Sequence, residues 1–173
     1  MKAFRGLFPP LITPFHTDGS LNEQGLRDHV DFVIANGADG FCLGSAIVVR
    51  DCFARGNVDD GFSGINENRL ERCRSTDNAY GFYMYGSGNS LEGCEAIASA
   101  GFGFYSSDES IIRNCLSAHN GNFGILAQNH CLLQNNTVIS NTTSGLYLIG
   151  SDSIVEGNIV KGNSPNYNIA ENN

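Results

Sequence analysis

The stretch CLLQNNTVISN, residues 131–141, places an apolar pair on either side of two asparagines, Asn135 and Asn136. Asparagine tolerates left-handed backbone angles, which occur in the tight turns that connect short strands. The stretch SIVEGNIVKGN, residues 153–163, repeats this arrangement 22 residues later, with glycine at the first turn position. The two stretches predict consecutive units of a repeat built from short β-strands and tight turns.

Three columns of residues extend the repeat over most of the chain, with steps of 20 to 23 residues. The first column holds cysteine or asparagine, the second is wholly aliphatic, and the third begins triplets of the Gly-Phe-Tyr kind. Their members are, in turn, Cys52, Cys73, Cys94, Cys115, Asn136 and Asn158; Val49, Leu70, Leu91, Ile112, Leu133 and Val155; and Gly40, Gly61, Gly81, Gly103, Gly124, Gly145 and Asn168. The residues just before the first column are Asp51, Arg72, Gly93, Asn114, Asn135 and Gly157, five of which favour left-handed turns. One repeat cannot bury its own apolar face, whereas stacked repeats share a continuous core.

A repeat of about 21 residues with three short strands predicts a mainly β fold, a right-handed parallel β-helix of about six turns over residues 39–173. Its turns would stack about 4.8 Å apart. The Leu-x-x-Leu-x-Leu spacing of a leucine-rich repeat does not occur. Residues 40–173 resemble the parallel β-helix repeat family of pectate-lyase-like (pectin lyase-like) and NosD-like proteins, and the resemblance implies the same fold.

Residues 1–38 follow a different pattern, in which an apolar strand, an Asp-Gly turn and one helix succeed each other. Apolar residues recur at helical spacing over 22–36, where Asn22 or Ser20 is predicted to cap the start of the helix. The end of a β-helix exposes unpaired strand edges. We therefore expect this strand-helix segment to cap the N-terminal end of the β-helix.

The first 45 residues also carry a second likeness. Residues 1–45 include Thr13-Pro14-Phe15 and Gly44-Ser45, and on these they resemble the N-terminus of the dihydrodipicolinate synthase/N-acetylneuraminate lyase family. The resemblance implies a (β/α)8 barrel whose lysine forms a Schiff base with a keto acid such as pyruvate. It also implies that Ser45 takes one of two hydroxyl positions that hold the keto-acid carboxylate, whereas Ala46 cannot take the other. The family's later strands do not follow, and Lys161 lies in a β-helix repeat.

The stretch NGADGFCLGS, residues 36–45, satisfies both patterns. It holds the glycines and the serine of the barrel family, and its Gly40 lies 21 residues before Gly61. Because the later repeats keep this register, we assign the strand to the β-helix. The change of pattern within one chain favours a chimera or a truncated protein.

A row of side chains follows the buried Phe, Ile and Leu positions and is predicted to point outward. It consists of Tyr83, Tyr105, Leu126 and Tyr147. Three hypotheses account for the tyrosines: they bind sugar rings, they form a contact between copies of the chain, or they only stack across neighbouring strands.

Charged residues form a second row, Arg50, Glu71, Glu92, Arg113, Gln134 and Glu156, whose signs favour ion pairs between turns. The other carboxylates are scattered, whereas lyases need acids beside a basic residue and hydrolases need two paired acids. The cysteine column is linear, so its thiols do not converge on a metal, and it predicts buried free thiols. The sequence therefore predicts no cofactor and no metal site.

The net charge of −8 argues against nucleic acid and anionic membranes as partners. The chain has no apolar run of membrane-spanning length, and the two prolines at 9–10 argue against a signal peptide. Free buried cysteines suit a reducing compartment, so we expect a cytoplasmic protein.

The resulting expectation is a non-catalytic parallel β-helix, either structural or carbohydrate-binding. Its partners would be an oligosaccharide at Tyr83, Tyr105 and Tyr147, or a second copy bound through a sheet face or an uncapped C-terminal end. Two enzymatic alternatives stay open. One is a polysaccharide-active lyase or hydrolase of the pectate-lyase-like class, and the other is a remnant of a keto-acid lyase without its Schiff-base lysine.

Overall fold

The computed structural model describes residues 16–28, 41–43 and 46–169. The chain forms two compact units, Met1–Cys42 and Leu43–Asn173. The strands of the described part are β1 Phe41–Leu43, β2 Val48–Arg50, β3 Phe53–Arg55, β4 Asp60–Gly64, β5 Arg69–Glu71, β6 Arg74–Thr76, β7 Tyr80–Met84, β8 Ser90–Glu92, β9 Glu95–Ile97, β10 Phe104–Ser106, β11 Ile111–Arg113, β12 Leu116–Ala118, β13 Ile125–Ala127, β14 Leu132–Gln134, β15 Thr137–Ile139, β16 Leu146–Leu148, β17 Ile154–Glu156, β18 Ile159–Lys161 and β19 Tyr167–Ile169.

These strands form three parallel sheets in the described part of the chain. The first sheet has the order β1-β4-β7-β10-β13-β16-β19, the second β2-β5-β8-β11-β14-β17, and the third β3-β6-β9-β12-β15-β18. Consecutive strands enter different sheets, so each turn of the chain adds one strand to each sheet. The fold is therefore a right-handed parallel β-helix of about six turns, as predicted.

The core consists of stacked side chains from successive turns. The aliphatic column is fully buried at its central positions, Leu70, Leu91, Ile112 and Leu133, which confirms its predicted place. On the first sheet, the rings of Phe62, Phe82 and Phe104 stack with centroids 4.9 and 4.8 Å apart. Continuous stacking of this kind replaces the core that a single repeat could not form.

Glycine recurs before the buried phenylalanines because the third sheet approaches the backbone closely there. A Cβ atom on Gly103 would lie 2.6 Å from the carbonyl oxygen of Gly124 and would also collide with the Ser117 hydroxyl. The inward residues of the third sheet are small in its first four strands, at Ala54, Ser75, Ala96 and Ser117, and are valines in the last two, at Val138 and Val160. Close packing between the sheets therefore requires glycine in this column.

Each corner of the β-helix combines a left-handed residue with a side chain that hydrogen-bonds to the neighbouring turn. The predicted left-handed column has positive φ at all six positions, including Arg72 at 50°. Two further columns share this backbone: Ala46, Glu67, Gly88, Glu109, His130 and Asp152; and Gly56, Asp77, Ala98, His119, Ser140 and Gly162. Only the first of these three corners was predicted from the sequence.

The cysteine column forms one corner and is continued by amides, as predicted. The Cys115 thiol donates to the carbonyl oxygen of Leu91, at 3.6 Å, and the Asn136 amide donates to that of Ile112, at 2.8 Å. The backbone N–H of Cys115 donates to Asn136 Oδ1 at 2.9 Å. Cysteine and asparagine thus fill the same position because both join one turn to the next.

The last turn corrects one detail of the predicted register. Tyr167 pairs with Leu146, and Ile169 pairs with Leu148, so the final return of the glycine column falls at Asn166 rather than at Asn168. Tyr167 and Ile169 occupy core positions but are 46% and 53% exposed, since no described strand lies beyond them.

In the N-terminal unit, the described residues 16–28 contain a helix over 23–28. The N–H of Gly25 donates to Asn22 Oδ1 at 2.8 Å, so Asn22 caps this helix. Ser20 instead donates to Asp18, from its N–H and from its hydroxyl. The rest of the predicted 22–36 helix and the preceding strand lie outside the described residues, and the capping role of 1–38 stays a prediction.

Candidate functional site

The outward face of the first sheet carries a continuous cluster of aromatic side chains, called the aromatic patch here. It consists of Tyr80, Tyr83, Tyr85, Phe102, Tyr105, Phe123 and Tyr147. The rings of Tyr83 and Tyr105 stack at 4.7 Å with planes 20° apart. A surface cluster of this size on a regular solenoid is a candidate interaction site.

The structure brings two of the three predicted tyrosines into contact. Tyr83 and Tyr105 pair on neighbouring strands, but Leu126 occupies the next position and separates Tyr105 from Tyr147. Tyr147 instead contacts Phe123, with ring centroids 4.7 Å apart and planes tilted by 42°. The predicted row is therefore interrupted, and a second row of rings makes the patch continuous.

This second row was not predicted from the sequence, and it lies one residue before the glycine column. Its members are Asp60, Tyr80, Phe102, Phe123 and Ser144. Tyr80 contacts Phe102 at 5.2 Å, and Phe102 contacts Phe123 at 5.6 Å. The glycine column was already recognised, so the residue upstream of each glycine was the available signal.

The patch ends in a step on the side of β4. Ser63 pairs with Tyr83, and Asp60 pairs with Tyr80, so two small side chains follow two large rings. Among the described residues, the rings in contact with Tyr83 are Tyr80, Tyr85 and Tyr105, none of which comes from β4. We call this step, formed by Asp60, Ser63, Tyr80 and Tyr83, the aromatic shelf.

Asp60 gives the shelf a distinctive charge. Burial raises the pKa of its carboxyl group to about 6, against the hydrogen bond with Ser63, and the charge of Asp59 adds to the rise. The same carboxylate contributes to the raised pKa of Tyr83, after burial and the nearby Tyr105. An ionised Asp60 is therefore a partly desolvated negative charge beside aromatic rings.

Polar groups border the patch further along. The Gln128 amide donates to the Tyr105 hydroxyl at 2.8 Å, and the Ser107 hydroxyl lies 3.4 Å from the same oxygen. These bonds fix the orientation of the Tyr105 side chain and leave a polar rim at the edge of the rings.

The charged row of the second sheet forms the predicted ion pairs. Arg50 Nε lies 2.7 Å from Glu71 Oε2, Arg113 Nη2 lies 2.7 Å from Glu92 Oε2, and Gln134 donates to Glu156 at 2.6 Å. The hydrogen bond from Arg50 is the largest cause that lowers the pKa of Glu71, which also contacts Arg69. Glu71 and Glu92 are thus held by arginines on their own sheet, and Glu156 by a glutamine.

The cysteines at 73, 94, 115 and 131 are free. The hydrogen bond with Cys115 and burial raise the pKa of the Cys94 thiol to about 12, although the bond with Cys73 lowers it. A thiol with so high a pKa stays protonated and is a poor nucleophile and metal ligand. Cys131 lies in another corner, where its thiol donates to the carbonyl oxygen of Ser107 at 3.0 Å.

The residues considered for keto-acid chemistry are not brought together in the described structure. Ser45 lies outside the described residues. Lys161 is exposed on β18, where it pairs with Ile139. In the described residues, no group of three histidine, cysteine or acidic side chains is arranged to hold a metal ion. No helix in the same part of the chain has the length and apolarity needed to cross a membrane.

Comparison with known proteins defines the class of the chain. Residues 61–172, well over half of the sequence, match the family model of the right handed beta helix region, and the chain belongs to this family. Residues 3–46 match the model of the dihydrodipicolinate synthetase family. No solved structure matches the chain.

Two curated relatives share the N-terminal likeness. The chain is 46% identical over 46 residues to the probable 2-dehydro-3-deoxy-D-pentonate aldolase YjhH of Escherichia coli (strain K12). It is 54% identical over 37 residues to the 4-hydroxy-tetrahydrodipicolinate synthase of Methanothrix thermoacetophila. These matches cover 26% and 21% of this chain but only 15% and 12% of the relatives. The chain therefore spans a small fraction of the length of the proteins it matches.

Proposed function

We propose that the β-helix is a non-catalytic carbohydrate-binding module and that the aromatic shelf binds one sugar ring of an oligosaccharide. The observation that carries the proposal is the pairing of Tyr83 with the small Ser63 on the neighbouring strand. This pairing leaves the Tyr83 ring with no aromatic neighbour from β4.

The direction of stacking favours the end of the patch over its middle. Rings such as Tyr83 and Tyr105 cover each other's faces, so the middle of the patch offers mainly ring edges and hydroxyl groups. At the shelf, a sugar ring would extend the stack by one position and rest above Ser63. The Asp60 carboxylate and the Ser63 hydroxyl would then supply the few polar contacts that orient a ligand on an apolar surface.

The distribution of acids supports a binding role over polysaccharide cleavage. A hydrolase needs two carboxyl groups that face one bond, roughly 5–10 Å apart. Glu71, Glu92 and Glu95 are instead paired with arginines. We also propose that the aldolase-like N-terminal segment is a remnant without catalysis, since the matched part of the relatives is so short.

A ligand titration tests the proposal. The chain has no tryptophan and five of its six tyrosines lie in the patch, so tyrosine fluorescence reports mainly on the patch as oligosaccharides of different composition are added. Tyr83→Leu keeps an apolar side chain without the ring, and we expect it to weaken binding at least about tenfold, or about 1.4 kcal/mol. Tyr147→Leu, at the far end of the patch, is the matched control and should change affinity less than about twofold. Absence of binding to every oligosaccharide would contradict the proposal.

A second candidate for the same face is a contact between two copies of the chain. Tyr85 and Ile149 support it, because they are 44% and 37% exposed on this side of the β-helix. The last described turn, with Tyr167 and Ile169, is an alternative contact surface. Light scattering after gel filtration distinguishes the candidates: a dimer that Tyr85→Ser dissociates would favour the aromatic face.

We further propose that the protein works in a reducing compartment such as the cytoplasm. Four free cysteines among the described residues, at 73, 94, 115 and 131, support this placement, since thiols persist where disulfides do not form. Fractionation of cells that express the full chain tests it.

A further inference from the structure

We infer that the ligand of the aromatic shelf is an oligosaccharide that carries amino groups, with an ammonium group against Asp60. The inference rests on the proposed carbohydrate-binding function and names the class of sugar. It follows from where the β-helix places its positive and negative charges.

Positive charge is absent from the first sheet between residues 46 and 169. The arginines of this range lie in strands or turns of the second and third sheets, at Arg50, Arg55, Arg69, Arg72, Arg74 and Arg113, and Lys161 lies on the third. All six arginines form ion pairs with acids in the strands and adjoining turns of those sheets. Asp60 is therefore an acid of the described β-helix that the arginine network does not reach.

Because Asp60 is partly buried, the lack of an arginine partner destabilises its ionised carboxylate. A carboxylate that has lost part of its hydration is stabilised by a cation at hydrogen-bond distance, and the described neighbours offer only the hydroxyl of Ser63. Asp59 adds a second negative charge next to it. A cationic ligand would compensate both charges.

The tyrosines favour the same class of ligand. Aromatic faces attract cations, and Tyr80 and Tyr83 lie on the strand paired with Asp60. The net charge of −8 would repel acidic polysaccharides as a whole. A neutral sugar would stack on the ring and donate hydroxyl hydrogen bonds to the carboxylate, whereas an amino sugar would in addition neutralise its charge.

A pair of matched oligosaccharides tests the inference. Oligomers of glucosamine and of N-acetylglucosamine share length and linkage, and differ in the charge at the amino group. We expect the wild-type chain to bind the glucosamine oligomer at least tenfold more tightly. Asp60→Asn should remove this preference, so that the affinities for the two oligomers come within about twofold of each other. Asp77→Asn, at an exposed corner of the β-helix, should keep the preference.

The outcomes separate this inference from the proposed function. Equal affinity of the wild-type chain for the two oligomers would overturn the amino-sugar inference and leave carbohydrate binding standing. A preference that survives in Asp60→Asn would also overturn it, since the net charge alone would then explain the effect. If no oligosaccharide binds, both proposals fail. Circular dichroism of the variants confirms that each one is folded.

Discussion

Asp60 affects the stability of the fold and also belongs to the proposed binding site. Its pKa is raised to about 6 by burial, so between about pH 4 and 6 the folded chain holds a proton that the unfolded chain has lost. The free energy of unfolding therefore falls as the pH rises through this window. We expect Asp60→Asn to stabilise the protein by about 1–2 kcal/mol at pH 7.5 and to have little effect at pH 4, after allowance for solvent screening.

Urea unfolding of the wild type and of Asp60→Asn at pH 7.5 and pH 4 measures the difference in their free energies of unfolding. The other carboxylates are the same in both proteins, so their pH dependence cancels. Asp77→Asn is the control, because Asp77 is exposed and forms an ion pair with the exposed Arg55. A variant Asp60→Asn that is less stable than the wild type at pH 7.5 would contradict the expected sign.

At the scale of the strand, close approach between sheets sets the limits on substitution. A Cβ atom at Gly103 would meet the Ser117 hydroxyl, the Asn120 amide at 2.6 Å and the Gly124 carbonyl oxygen at 2.6 Å. Because the carbonyl belongs to the backbone, the clash cannot be relieved by a rotamer change. We expect Gly103→Ala to cost about 2–3 kcal/mol, within the range for overpacked cores. Chemical denaturation measures the loss.

Gly93→Ala separates this packing effect from backbone strain. Gly93 has a φ of +61°, but a Cβ atom there would lie 3.7 Å from Arg72 Cγ, an ordinary contact. Its cost should be about 1 kcal/mol, from the left-handed backbone alone. A loss at Gly103 no larger than that at Gly93 would contradict close packing as the cause of the glycine column.

The corners between strands differ in how readily they can be predicted from the sequence. The cysteine corner was predicted because cysteine is rare and its repetition is conspicuous. The corner with Asn57, Asn78 and Asn120 was missed because asparagine is common throughout the chain. The last register was wrong because inward positions alternate with period two, so Tyr167 and Ile169 match Leu146 equally well by apolar character. The backbone pairing of the last strand, rather than residue type, shows that Tyr167 is the partner of Leu146.

At the scale of the molecule, the sequence predicted the architecture more completely than the site. Stacking of turns makes the same position recur, and recurrence is visible in a single chain. The aromatic shelf depends instead on a break in the recurrence, where Ser63 stands beside Tyr83 and Asp60 beside Tyr80. The sequence cannot give the degree of burial that raises the pKa of Asp60, because burial depends on how several turns pack together.

In a solenoid each turn contacts only its neighbours, so we expect the local stability of the turns to differ along its length. Ile112 is fully buried between Leu91 and Leu133, whereas Val155 pairs with Leu133 on one side and is half-buried. We expect Ile112→Ala to cost about 2–5 kcal/mol and Val155→Ala about 1 kcal/mol. Amide hydrogen exchange should be slowest in β8, β11 and β14 and fastest in β17 to β19. Equal protection in all of these strands would mean that the β-helix opens only as one cooperative unit.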